Sequence, residues 1–517
     1  MAQWDDGYVT DVVYTSNFYR ECSPAWLAAA TLLLGHRPPD LAGPFRYADL
    51  GCGHGFTALV AAACSPQAEV WAFDFNPAHI ESATRLAAQA GISNIRYVEA
   101  SFADIAALPD AALPSFDIVV SHGVLSWISA ANRRHLFATI ARRLKPGGLA
   151  YIGYNTATGW ASMVPLQVLM QQLAASSPER TDLAVKGIMD TIDRLREAGA
   201  LYFAANPTVE PRLAQLRQQD PRYFAHELLN ADWHPAMFAE VAAAMTEAKC
   251  SFIGSATLTD NIPTTAVPSG VAALLAEARD PVLRETLRDF GAAQGFRRDI
   301  FRRGLAPMPA GEHQAMVQTL SVARLGQPVP EGGITFATPV GTVTGRAEIY
   351  EPLLALLEQG PLSVREVAAM PSLAGRPIPD LMQAITLLVH GGYAHPLLAG
   401  GDAAAARDSA RRLNQATARA VADGADMPRL VLPVLGAALA VDMIEVLVVG
   451  ALLDGRPAEV ESLADAVAAS LARGGRTVQR DGKPVTDPAE ARTLITEAVH
   501  RTLARASLLS ELGVLTG

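Results

Sequence analysis

The stretch YADLGCGHGFTALVAAAC, residues 47–64, decides the fold. A short apolar run ends at Leu50, glycines follow at 51, 53 and 55, and an apolar helical pattern starts near Phe56. Strand, glycine turn and helix in that order open an α/β unit whose backbone approaches a ligand closely, because glycine turns sharply and presents no Cβ. A dinucleotide loop has the spacing Gly-x-Gly-x-x-Gly, and counted from Gly51 its third glycine would fall where Phe56 stands. Asp49 lies just ahead of the loop. Phosphate sites use bare amides and helix N-termini, and a carboxylate beside a pyrophosphate is repelled. A ligand with an ammonium and a sulfonium favours that carboxylate, so S-adenosylmethionine suits the loop better than a dinucleotide. No Gly-Lys-Ser/Thr follows, which removes a nucleoside-triphosphate loop.

Outward from the loop, buried strands are expected at Tyr47–Leu50, Val70–Phe73, Ile95–Val98, Phe116–Val120 and Leu149–Tyr154, with helices at Thr57–Cys64, Pro77–Ala90 and Ala131–Leu144. This alternation predicts a parallel sheet covered on both faces, with ligands at the carboxyl ends of the strands. Asp74 in WAFDFNP ends the second strand about 20 residues past the loop, where an acid accepts from both ribose hydroxyls. Ser101 and Phe102 follow the third strand and are candidates to face an adenine. FDIVVSHGVLSWI (116–128) ends its strand in a small polar segment, and LKPGG (144–148) reads as a helix stop and turn.

The length, 517 residues, suggests about three or four domains at roughly 150 residues each. Half the chain is hydrophobic and 18% is charged, enough for packed cores and unlike a disordered chain. The net charge of −10 makes the whole surface a poor partner for nucleic acid or anionic membrane. Cys22, Cys52, Cys64 and Cys250 show neither CxxC nor zinc spacing, so a reducing cytoplasm is the expected location. MAQWDDGYVTDVVY lacks a basic-then-apolar signal. The apolar run Val431 to Leu453 contains Pro433, Asp442 and Glu445, and reads as a buried helical segment rather than a membrane span.

DLGCGHG, AFDFNP, FDIVVSHGVL and LKPGG together resemble the successive motifs of the class I S-adenosylmethionine-dependent methyltransferases, over roughly residues 14–157. YFAHELLNADWHPAMFAEVAAAMTEAKCSFIGSATL (223–258) resembles a methyltransferase regulatory domain, and the pairing is similar to bacterial protein-lysine methyltransferases. The resemblance implies a Rossmann-like α/β domain with a mostly parallel sheet, followed by mainly helical accessory domains. It implies that Asp49, Gly51, Gly53 and Gly55 hold the cofactor's methionine part, Asp74 its ribose, and Ser101 and Phe102 its adenine. Cys52, Phe75 and Ser121 complete the expected cofactor set.

The expected division is a methyltransferase domain at 1–160, with strand 251–258 returning to its sheet, and a helical insertion with the regulatory domain at 161–305. A linker and winged-helix-like domain at 306–400 and a helical domain at 401–517, with a hairpin at RDGKP (480–484), complete it. NIPTTAVPSG (261–270) reads as a linker, and 271–303 as helical, ending in FRRDIFRRG with a solvated arginine face. The winged-helix-like candidate recognition helix, 379–390, carries Asp380, Gln383 and His390 but no Lys or Arg, so it reads as a packing or partner-binding element rather than a nucleic-acid reader. Self-association as a homodimer through 160–250 is expected.

Methyl transfer from a sulfonium needs alignment and a dry site more than a nucleophilic catalyst. The expected acceptor side is Tyr14 and Tyr19 of a lid-like leading segment, His122 and Trp127 after the fourth strand, and Asn155 after the fifth. His226 and His234 lack a third ligand, so no metal is expected. The acceptor is expected to be a protein or peptide lysine. A small-molecule acceptor, with the later domains serving dimerisation and pocket closure, stands as the alternative.

Overall fold

The apolar runs of the first 155 residues form the strands expected of them. In the computed structural model, which describes residues 6–12, 14, 16–304, 306–480 and 483–515, β1 spans Arg46–Leu50, β2 Glu69–Asp74, β3 Ile95–Glu99, β4 Phe116–His122 and β5 Leu144–Asn155. Helices α1 (Pro24–Leu33), α2 (Phe56–Cys64), α3 (Pro77–Gln89), α4 (Phe102–Ala107) and α5 (Ala130–Arg143) lie before and between them. Side-chain caps start four of these helices. Ser23, Asn76, Ser101 and Ser129 each accept a hydrogen bond from a backbone N–H of the first turn, which satisfies a donor that no helical carbonyl can reach.

Two later strands join the sheet: β6 (Cys250–Ser255) and β7 (Phe296–Arg303). The order is β3-β2-β1-β4-β5-β7-β6. The first five strands run parallel, and β7 is antiparallel to both β5 and β6. The chain therefore returns to the sheet near the expected 251–258, and the sheet takes its two edge-side strands from the stretch assigned above to a second domain. Strand order reverses between β1 and β4, which opens a crevice at their carboxyl ends.

FRRDIFRR corrects an expectation. It forms β7 rather than a helix end, and Arg297 is buried instead of solvated. NIPTTAVPSG is not an open linker either, since it holds a short helix, Pro263–Ala266, and starts another, Ser269–Glu277. LKPGG lies within the span of β5, with Gly147 at φ +80° and a register break opposite Phe116 and Ile118. The run at 431–453 divides into a hairpin, Arg429–Leu432 with Ala437–Ala440, and the helix Met443–Leu453. Among the described residues no helix is long and apolar enough to cross a membrane.

Alternate residues of the central strands feed two apolar layers. Tyr47, Ile118, Val120, Leu149, Tyr151 and Ile300 join one layer, while Ala48, Leu50, Val119, Ala150, Ile152 and Phe301 join the other. The first layer continues without a break into Leu413, Val446, Leu463 and Val499, so the C-terminal helices pack over α2 and α3 as part of one core. The helix Ile378–His390, which covers the candidate recognition helix, buries Leu381, Ile385, Leu388 and Val389 in that layer. It is joined by the helices Ala347–Leu357 and Val364–Ala369 and a three-stranded sheet in which Ser321–Arg324 is central. At 480–484 the strands Gln479–Arg480 and Lys483–Pro484 pair as expected, and residues 481–482 lie outside the described residues. A separate apolar cluster holds the helices of residues 163–229.

Candidate functional site

A cavity of about 550 Å³ lies at the carboxyl ends of β1, β2 and β4, within the range of roughly 300–1,000 Å³ usual for small-ligand sites. Its floor is the glycine turn. Gly51, Gly53 and Gly55 have φ of +81°, +54° and +62°. The N–H groups of Gly51 and Cys52 both donate to the Phe73 carbonyl at 2.9 Å, which fastens the loop to β2. A Cβ at Gly51 would stand 2.5 Å from Val124 Cγ2, and one at Gly55 would stand 2.3 Å from Tyr97 Cε1.

Gly55→Ala combines that clash with a left-handed backbone. It is expected to lower stability by about 1–3 kcal/mol and to weaken S-adenosylhomocysteine binding. Scanning and titration calorimetry measure both, and an unchanged affinity counts against the loop's role.

Two carboxylates sit on the floor in different states. Asp74 is engaged: Oδ2 accepts from Gly53 N–H at 2.8 Å, and Oδ1 accepts from Asn76 N–H at 2.9 Å and faces His79 Nδ1 at 3.2 Å. A carboxylate has about four lone-pair positions, which leaves it capacity for a ribose hydroxyl. Asp49 is only 6% exposed, and among the described residues it has no hydrogen-bond or ion-pair partner. Burial, reinforced by the Asp74 charge, pushes its carboxyl up to about 7. A buried carboxylate without a protein partner, facing a cavity, is arranged for a cationic ligand group.

The other expected cofactor residues divide. Cys52, Phe75, Ser101 and Phe102 line the cavity. The Ser101 hydroxyl is committed to the α4 cap, donating to Asp104 Oδ2 at 2.6 Å and accepting from Asp104 N–H at 3.1 Å. Ser121 is not on the cavity: its hydroxyl donates to the Leu50 carbonyl at 3.0 Å inside the sheet. Side chains alternate along a strand, and the neighbouring His122 takes the cavity position.

On the acceptor side, Tyr14, Tyr19, His122 and Trp127 line the cavity and Asn155 does not. Asn155 is buried at the end of β5, where its backbone N–H donates to Ser126 Oγ at 2.9 Å. His122 Nδ1 and the Tyr151 hydroxyl are 2.6 Å apart, and the ring packs against Tyr19 with centroids 3.9 Å apart and planes tilted by 31°. Burial, with the nearby Arg298 charge, pushes His122 down to about 3, so it is neutral at physiological pH.

The leading segment lies across the cavity, as a lid would. The Tyr14 carbonyl meets His54 Nε2 at 3.0 Å, and the Tyr19 N–H donates to Thr57 Oγ1 at 3.1 Å. From the other side the Val12 carbonyl meets His226 Nε2 at 2.9 Å, and the Val9 N–H donates to Asn230 Oδ1 at 2.9 Å. Among the described residues no group of three or more His, Cys, Asp or Glu side chains is placed to hold a metal ion.

Sequence reasoning missed several cavity residues: Tyr8, Tyr223, Glu227, Phe296 and Arg298. Tyr223 and Glu227 lie on the helix Pro221–Leu228, whose backbone is tied down where Trp127 Nε1 donates to the Glu227 carbonyl at 3.1 Å. The four-residue spacing of Tyr223 and Glu227 puts both on one helix face, the one signal the sequence held.

A family model described as "Methyltransferase domain" matches residues 48–148, and one described as "Predicted methyltransferase regulatory domain" matches residues 220–303. Protein sll1526 of Synechocystis sp. is 36% identical over 444 residues, covering 86% of this chain and 87% of its own length. A trans-aconitate 2-methyltransferase of Methylobacterium radiotolerans is 29% identical over 164 residues, covering 31% of this chain and 56% of its own. PKMT2 from Rickettsia typhi, solved in complex with AdoHcy, has a similar fold at a TM-score of 0.70 and 20% identity, covering 97% of this chain and 99% of its own. Glycine loop, sheet order and these matches agree: the chain belongs to the S-adenosylmethionine-dependent methyltransferases that carry a methyltransferase regulatory domain.

Proposed function

We propose that this methyltransferase modifies an amine, and that the amine is the side chain of a lysine in a protein. The observation that carries this reading is the charge of the cavity. Beyond Asp49 and Asp74, which serve the donor, Asp6 and Glu227 line it, and Arg298 is the one Lys or Arg among its described lining residues. Tyr8, Tyr14, Tyr19 and Tyr223 add phenol faces and hydroxyls. Carboxylates and aromatic faces attract an ammonium and repel an acid. A polycarboxylate acceptor calls for several cationic side chains, which this lining lacks.

Bound S-adenosylmethionine supplies a methyl carbon activated by positively charged sulfur. The chain supplies the rest. The glycine turn and Asp74 fix the donor's place, Asp49 is arranged for its ammonium, and Asp6, Tyr8, Tyr14, Ser16, Asn17 and Tyr19 of the leading segment cover the cavity and limit water. The neutral His122 and the Tyr19 ring packed against it form a wall that adds no cation beside the donor.

A small-molecule acceptor is the second reading. Coverage of the cavity by the leading segment favours it, since a protein side chain has to pass that cover. The two separate in one assay. Protein extract incubated with the enzyme and donor labelled in its methyl group, then hydrolysed to amino acids, is expected to carry label in methylated lysine. Label confined to small molecules, or to base-labile esters, overturns the lysine reading.

A further inference from the structure

We propose that Glu227, delivered by the regulatory part of the chain, is the carboxylate that receives the acceptor ammonium and takes its proton. This rests on the amine reading above and names the group that reading needs. Glu227 is 9% exposed, lines the cavity, and has no Lys or Arg paired with it among the described residues. The phenols of Tyr14 and Tyr223 lie near enough to its carboxyl to favour the charged form, and Tyr14 does the same for the Tyr19 hydroxyl in turn. Tyr8 joins from the leading segment, with its ring 5.4 Å from that of His226. The titratable groups that share the cavity with Glu227 are Asp6, Tyr8, Tyr14 and Tyr19 of the leading segment, Tyr223 and His226 on its own helix, and Cys22, Asp49, Cys52, His54, Asp74, His79, His122 and Arg298. An ammonium has three donors and no acceptor; a carboxylate flanked by phenol oxygens and ring faces matches it in charge and in hydrogen bonding.

The position is also chemically apt. A lysine amine, with a pKa of ~10.4, enters charged, and its lone pair is unavailable until a proton leaves. Burial pushes the Glu227 carboxyl up to about 8, against the opposing pull of the nearby Tyr223 and Tyr14 hydroxyls. A base with that proton affinity lies nearer the amine than an ordinary glutamate at ~4.3, so the transfer is less uphill. One N–H bond of the ammonium breaks and its electron pair stays on nitrogen, while a Glu227 oxygen takes the proton. The freed pair is the nucleophile that methyl transfer requires. The proton passes to bulk water as the methylated acceptor leaves.

The test uses the full chain saturated with S-adenosylhomocysteine, so that the donor side of the cavity is filled. n-Butylammonium, the end of a lysine side chain, is titrated calorimetrically against wild type, Glu227→Gln and Glu227→Asp. Wild type is expected to bind it more tightly at pH 9 than at pH 7, as Glu227 ionises. Glu227→Gln is expected to bind it at least tenfold more weakly, with no gain between those pH values, while its S-adenosylhomocysteine affinity stays at the wild-type level. Glu227→Asp is expected to recover part of the loss. Equal binding by wild type and Glu227→Gln, no binding by wild type, or equal binding of n-butanol overturns the proposal. Labelled methyl-lysine together with equal binding by Glu227→Gln refutes Glu227 alone. Label only on hydroxyl or carboxyl acceptors refutes the amine reading itself.

Discussion

Arg297→Met is expected to lower stability by about 3–5 kcal/mol, because removing one partner of a buried ion network strands the others. Arg297 on β7 is 4% exposed. Its Nε donates to both oxygens of Asp299 at 2.9 Å, one terminal nitrogen donates to Asp289 Oδ1 at 2.6 Å, and the other donates to Glu285 Oε2 at 2.9 Å. Its guanidinium also stands 4.3 Å over the Phe238 ring. Burial opposes this charge, yet the three carboxylates hold the guanidinium well above its ordinary pKa. In the variant, Arg288, 2.9 Å from Glu285, is left as that carboxylate's partner and Asp299 keeps only the Tyr154 hydroxyl, which donates to its Oδ2 at 2.7 Å, while Asp289 loses its cation. The deficit is expected to grow from pH 5 to pH 8: stranded carboxyls have folded pKa values above their unfolded ones, so the folded state loses stability as they ionise. A drop in the thermal midpoint of about 3–5 °C at pH 8 follows. Combining Arg297→Met with Asp289→Asn and Asp299→Asn is expected to recover part of it. A midpoint at the wild-type value for the single variant would show that the network does not hold the regulatory strands to the sheet.

The same residue shows where sequence reading stops. β1 to β5 are legible because a parallel sheet buried on both faces writes its strands as apolar runs. The glycine spacing and Asp74 are legible because a tight strand–turn–helix constrains the backbone at fixed intervals along one short stretch. FRRDIFRR has five charged residues in eight and reads as a wetted surface. It becomes an inner strand because Glu285 and Asp289 arrive from the helix Pro281–Ala292 to meet Arg297. That is tertiary information, absent from any local window. Ser121 and Asn155 fail for a smaller reason. Both stand at or near strand ends, where chemistry is expected, but their side chains turn away from the cavity. Glu227 stands in HELLN beside a histidine, and nothing in the spelling says that helix Pro221–Leu228 lies over the cavity of another domain. The contacts of Trp127 with the Glu227 carbonyl and of His226 with the Val12 carbonyl place it there.

Asp49→Asn is expected to make the unliganded protein more stable and the enzyme worse. Asp49 is a buried carboxyl whose folded pKa, about 7, lies above its ordinary 3.8. For a raised acid the sign is clear: the folded state keeps a proton that the unfolded state has lost, so stability falls as pH rises from the ordinary value towards 7. Asparagine removes that penalty, a gain on the order of 2–4 kcal/mol at pH 8 and less at pH 5. On the proposed reading, the same change deletes the charge arranged for the donor's ammonium. Truncating one side of a buried, hydrogen-bonded charge pair costs about 2–5 kcal/mol, or roughly thirtyfold to several thousandfold in affinity. Thermal midpoints at pH 5 and pH 8, paired with S-adenosylhomocysteine titrations, read both halves at once. If Asp49→Asn leaves the unliganded midpoint at pH 8 unchanged, the carboxylate is already compensated without ligand. If instead affinity survives, the methionine end of the donor is held elsewhere. The two shifts together, in opposite directions, are what a residue kept for binding at the expense of stability must produce.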